Sequence, residues 1–122
     1  LLTIHPVDPY SVAVALNVTI DWPAVAFVGI DDDQMVGTGG LAWGGERCWL
    51  WFGIIGEPRP TYGIYVVRMA KKLLRKAAQL GEVEVFTVRD RSYTTSLKLL
   101  KFLNFTHHSS EKGEEIWVRS VI

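Results

Sequence analysis

The chain has one cysteine, Cys48, in 122 residues, so no internal disulfide can hold it together. Stability has to come from a packed core, and Cys48 reads as a small hydrophobe within a strand, compatible with a reducing compartment. Net charge is lacking as well, because thirteen Lys and Arg balance thirteen Asp and Glu. That balance argues against nucleic-acid binding driven by overall charge and leaves only a local patch as a route to it. Long apolar runs are missing too. Nothing approaches the ~20 residues of a membrane span, and the start has no basic region followed by an uninterrupted apolar core. These absences describe a soluble, cytoplasmic protein with no membrane partner. The chain opens on Leu1 rather than Met, so residues upstream are expected to have been removed or lost.

What is present is a composition 48% hydrophobic over a length that supports one core and not two. Residues 1–122 therefore read as a single domain, of which 1–24 is a shortened or irregular N-terminal part. Leu1 to Val7 reads as a short strand, broken by Pro6, Asp8 and Pro9 before an Ala/Val stretch from Tyr10 to Val18 that fits either helix or strand. Val25 to Ile30, Met35 to Trp43 and Arg47 to Ile54 are β runs, separated by the turns Asp31-Asp32-Asp33 and Gly44-Gly45-Glu46. They form an antiparallel meander.

The period then changes. From Tyr62 to Leu80 the residues Gly63, Val67, Ala70, Leu74 and Ala77 follow helical spacing, Arg68, Lys71, Lys72, Arg75 and Lys76 occupy other faces, and Gly81 ends the helix. Glu82 to Val88 is a strand. Ser92 or Thr94 caps a second helix, Thr95 to Leu103, whose Leu99, Leu100 and Leu103 face the core. Phe105 to His108 and Glu115 to Val121 close the chain as a hairpin around Glu111-Lys112-Gly113. The strands on either side of the long helix should pair in parallel through a right-handed crossover.

The stretch from Cys48 to Gly81 carries the most chemistry. An apolar, aromatic strand, Cys48-Trp49-Leu50-Trp51-Phe52-Gly53-Ile54, feeds through Gly56-Glu57-Pro58-Arg59-Pro60 into a helix start. Such an arrangement offers unbonded backbone N–H groups and a positive dipole end to a phosphate. Pro58-Arg59-Pro60-Thr61-Tyr62-Gly63-Ile64-Tyr65 resembles the acyl-CoA pyrophosphate loop of the GNAT superfamily of N-acetyltransferases. Ser96-Leu97-Lys98-Leu99-Leu100-Lys101-Phe102-Leu103-Asn104-Phe105 is similar to that family's late helix and its Leu-Gly-Phe turn, with Asn104 in the Gly position. The resemblance covers Val25 to Val121. It implies an α/β GNAT-like mixed sheet: an antiparallel meander, a β-α-β crossover whose two strands splay apart at their carboxyl ends, a second helix and a C-terminal hairpin.

The same resemblance implies acetyl-CoA as cofactor and an amine-bearing small molecule or protein as acceptor. Phe52, Gly53 and Ile54 would meet the pantetheine arm as an added strand, and Arg59, Pro60, Thr61, Tyr62, Gly63, Ile64 and Tyr65 would cradle the pyrophosphate. Glu57 is the carboxylate nearest in sequence and the candidate proton relay, against a plain role as a solvated turn residue. Three departures bear on the chemistry, the first being that Arg59 lies four residues before Gly63 instead of the usual three. Tyr65 stands where a second glycine is usual, and Leu100 stands where many members carry a Tyr general acid. Cys48-Trp49 and Phe102-Leu103 are in addition similar to small bacteriophage-encoded GNAT-like proteins, which implies the alternative of an inactive, virion-associated or host-interacting protein.

Other groups have plainer readings. Asp31-Asp32-Asp33 lacks the spaced oxygen ligands of a calcium loop and reads as a solvated turn. His107 and His108 are adjacent, so on a strand they point to opposite faces and do not share a metal. His5 reads as a surface residue. The basic helix face reads as solvated, with Lys71 and Lys72 the members placed to help a CoA phosphate. Trp49 and Trp51 share one strand face and Cys48, Leu50 and Phe52 the other, so this strand is central, with helices over at least one face.

Overall fold

A computed structural model of the protein describes residues 2–8, 24–54, 59, 62–89 and 96–122. The elements are β1 (Thr3–Val7), β2 (Ala24–Asp31), β3 (Gln34–Gly44), β4 (Arg47–Ile54), α1 (Tyr62–Gln79), β5 (Glu84–Val88), α2 (Ser96–Phe102), β6 (Thr106–Glu111) and β7 (Glu114–Ser120). The strands form a seven-stranded sheet in the order β1-β2-β3-β4-β5-β7-β6. The mixed α/β fold expected from the sequence is present, with β2, β3 and β4 as its antiparallel meander. The Tyr10–Val18 stretch lies outside the described residues, as do Ser92, Thr94 and Thr95.

Hairpin turns set the register. Asp32 and Asp33 take φ of 51° and 61°, Gly45 and Glu46 59° and 63°, and Lys112 and Gly113 53° and 80°. Two consecutive residues at positive φ twist with the flanking strands, so each loop needs only two. The three-residue turns expected from the sequence are thus each one residue too long. Asp31 and Gly44 end their strands, and Glu111 ends β6. In β6 a bulge between His107 and Ser109 lengthens the strand beyond the four residues expected. His107 meets the Trp117 ring edge-on at 5.6 Å and His108 the Phe86 ring at 5.3 Å.

The main core cluster lies on one face of the sheet, while Ala26, Val28, Phe86 and Ile116 are buried on the other. Leu41, Cys48, Leu50, Val85 and Trp117 come together on the first face with Met69, Ala70, Leu73, Leu74 and Ala77 of α1 and with Leu100, Leu103 and Phe105. The buried stripe of α1 is Tyr62, Met69, Ala70, Leu73, Leu74 and Ala77, so Met69 and Leu73 replace the expected Gly63, which is exposed. A 3.6-residue repeat admits either stripe on spacing alone, and the larger side chains take the core. Phe102 is 62% exposed, whereas Leu103 beside it is buried.

The two described helices end alike. Glu82 N–H donates to Ala77 O at 3.0 Å and Gly81 N–H to Ala78 O at 3.1 Å, with Gly81 at φ 91°. Phe105 N–H donates to Leu100 O at 2.9 Å and Asn104 N–H to Lys101 O at 3.0 Å, with Asn104 at φ 63°. Asn104 therefore does what glycine does in such a cap, as its tolerance of left-handed backbone allows. On the opposite face of the sheet Trp51 lies against Gly40, where a Cβ would come within 2.9 Å of the indole and 2.0 Å of Val25 O. Only glycine fits there. Among the described residues no helix is long and apolar enough to cross a membrane.

Candidate functional site

Parallel pairing between β4 and β5 is brief, with Trp49 opposite Phe86 and Leu50 opposite Thr87. Beyond this point β5 follows β7, through Val88 opposite Ile116 and the bond from Arg89 N–H to Glu115 O at 3.1 Å. β4 instead follows β3, with Phe52, Gly53 and Ile54 opposite Gly39, Thr38 and Gly37. The sheet therefore opens into a V at the carboxyl ends of its two central strands. Thr87, 4% exposed, marks the vertex, its Oγ1 donating to Leu50 O at 2.8 Å. Because β5 has turned away, the β4 edge from Trp51 to Ile54 has no strand beside it there among the described residues. An extended ligand can add to such an edge through main-chain hydrogen bonds.

The start of α1 adds a second element. Of the residues nominated from the sequence, Phe52, Gly53 and Ile54 end β4, while Tyr62, Gly63, Ile64 and Tyr65 form the first turn of α1. Glu57, Pro60 and Thr61 lie outside the described residues. The Tyr62 amide donates to Arg59 O at 3.0 Å. The amides of Gly63, Ile64 and Tyr65, by helix geometry, have no carbonyl partner within α1. A Cβ added at Gly63 would meet nothing within 4 Å among the described residues. Packing among the described residues does not demand glycine there, and Gly63 stands in the first turn, at the positive end of an 18-residue helix. Lys71 and Lys72 instead lie over aromatic rings, Phe102 at 5.6 Å and Phe27 at 5.3 Å.

Sequence reasoning missed Asp31. Read as a solvated turn residue, it is instead the last residue of β2, paired with Gln34 and only 8% exposed. Its Oδ2 accepts from Tyr62 Oη at 2.8 Å and from Arg59 Nη1 at 3.3 Å. The hydrogen bond from Tyr62 is the largest of the causes that hold the Asp31 carboxyl below its ordinary value of 3.8, and the Arg59 charge is the smallest. The same bond, followed by burial, raises the Tyr62 phenol above its ordinary 10.0. The signal available was turn length, since a two-residue turn at Asp32-Asp33 leaves Asp31 on the strand.

Leu100 is 7% exposed and belongs to the core. It offers no proton, and its surroundings are apolar. Cys48 is 1% exposed, and its thiol is pushed up to about 12 by burial first and the Glu82 charge second. That thiol is no nucleophile at neutral pH.

No protein-family model matches the chain, and no curated protein matches it either. Solved structures do. A candidate acyl-CoA N-acyltransferase of Klebsiella pneumoniae subsp. pneumoniae superposes with TM-score 0.75 at 12% identity, over 99% of this chain and 98% of that one. A GNAT-family acetyltransferase of Staphylococcus aureus Mu50 gives 0.70 at 9% identity with 100% of both chains covered. One from Elizabethkingia anophelis, solved with acetyl-CoA bound, gives 0.66 at 15% identity over 98% of this chain and 97% of that one. The chain has the fold of GNAT acetyltransferases.

Proposed function

We propose that the protein binds acetyl-CoA in the cleft between β4 and β5 and transfers the acetyl group to an amine. The observation that carries this reading is the opening of the sheet after Leu50 and Thr87, with the first turn of α1 at the end of the opened strand. In it, the β4 backbone from Trp51 to Ile54 holds the pantetheine arm as an added strand. The amides of Gly63, Ile64 and Tyr65 receive the pyrophosphate, favoured by the helix dipole.

Bound acetyl-CoA supplies a thioester whose carbonyl an amine attacks, forming a C–N bond and releasing CoA thiolate as the nitrogen loses a proton. The protein's part is to hold the acyl carbonyl against β4 donors and to align the incoming amine. Oriented donors and alignment of this kind account for large rate factors without a side-chain acid. That suits this chain, because Leu100 cannot donate and the Tyr62 proton is held by Asp31. Glu57 remains the proposed proton relay. The acceptor belongs to the amines as a class.

One observation favours a second reading. A core leucine at the position of the family's acid supports a protein that keeps the fold for binding a partner, as the bacteriophage resemblance implies. Calorimetric titration with acetyl-CoA, followed by transfer assays on a panel of amines and peptides, separates the two. Saturable binding with acetyl transfer supports the enzyme. Binding without transfer favours the partner-binding role, and no heat at millimolar ligand removes the CoA reading altogether.

A further inference from the structure

We propose that Asp31 is a positioning residue for the phosphate end of the cleft, orienting Arg59 and the first turn of α1 for the CoA pyrophosphate; this rests on the reading above. The geometry is a closed ring of three residues from three parts of the fold. Tyr62 Oη and Arg59 Nη1 converge on Asp31 Oδ2 at 2.8 and 3.3 Å, and the Tyr62 amide closes the ring on Arg59 O at 3.0 Å. β2, the loop and α1 are thereby tied at one oxygen. Burial gives the tie its force, since Asp31 and Tyr62 are each 8% exposed and their bond is sheltered from water.

Arg59 differs from its two partners. Its side chain is 63% exposed and spends one of its five N–H donors on Asp31, so the remainder of the planar fork faces outward. A guanidinium held by one corner is pre-organised for a bidentate contact to phosphate, as a free arginine is not. Asp31 also places a negative charge near an anionic ligand. Arg59 lies largely in water, where that repulsion is screened, whereas orientation is not screened. Positioning is therefore the larger effect. Asp31 touches no ligand in this assignment and acts through Arg59 and Tyr62.

The test is a double-mutant cycle read by calorimetry with CoA. Asp31→Asn and Arg59→Gln should each weaken binding about tenfold, the scale of one charge-assisted hydrogen bond. The double variant should lose little more than either single one, because both changes remove the same oriented contact. Losses that multiply to about a hundredfold would overturn the assignment, as would an Asp31→Asn protein that binds as well as the parent or better. Should Asp31→Asn fail to fold, Tyr62→Phe keeps the carboxylate and deletes only its sheltered donor. A loss of about threefold supports the tie, and unchanged affinity refutes it. A parent that binds no CoA removes the preceding reading and this one together. A parent that binds, with an additive cycle, removes this one alone.

Discussion

Cys48 is the residue at which burial has its plainest chemical consequence. With its thiol pushed up to about 12 beneath α1, almost no thiolate exists at neutral pH. A thiol reagent should label it only as fast as the protein opens, and at once in denaturant. Complete native labelling within seconds would contradict the buried position. Asp31 and Tyr62 make a second residue-scale prediction. A carboxylate held below 3.8 contributes stability that is present above that value and lost as pH falls through its folded value. A phenol raised above 10.0 contributes stability that is present below that value and lost as pH climbs through its own. The Tm difference between the parent and Tyr62→Phe should therefore be flat from about pH 5 to 9 and shrink on either side. A difference independent of pH from about 2 to 11 would show that Tyr62 and Asp31 are not coupled. Turn residues were the least legible in the sequence. Each three-residue turn was one residue too long, and the misassigned Asp31 and Glu111 are both bonded by arginine, Arg59 and Arg47. Composition marks a turn, but its length depends on backbone twist, which composition does not record.

At the scale of elements, α1 joins stability to the proposed ligand through Gly63. Open space around that position means that Gly63→Ala should stabilise the helix by about 0.5–1 kcal/mol, since alanine loses less backbone freedom. The same methyl should weaken CoA binding by standing before the first-turn amides. Thermal melting and calorimetry on one preparation read both effects. A protein that melts higher and binds unchanged would show that no ligand approaches Gly63. The helix itself was legible, because a 3.6-residue period and a terminal glycine survive in any context. Its buried face was less so. Spacing admitted a stripe through Gly63, and the choice fell to Met69 and Leu73 because they have more apolar area to bury. The cap at Asn104 was readable from the family resemblance, which puts Asn104 in the glycine position, together with the tolerance of Asn for left-handed backbone.

For the whole molecule, element order carried the architecture. A meander, a helix crossover and a hairpin leave few topologies, and the parallel pairing of β4 with β5 follows from the right-handed crossover. How short that pairing is could not be read, because the divergence comes from β5 staying with β7 while β4 stays with β3. The site was legible only as a stretch of chain; its third contributor, Asp31, lies 28 residues before Arg59 and arrives through the sheet. The proposed function requires one ligand to span the β4 edge and the α1 start. Amide chemical shifts of isotopically labelled protein, followed as acetyl-CoA is added, test it most directly. The account predicts saturable shifts at Trp51, Phe52 and Gly53 together with Gly63, Ile64 and Tyr65, all fitting one dissociation constant. Saturation with these six amides unmoved, or with shifts confined to another face of the sheet, would contradict it.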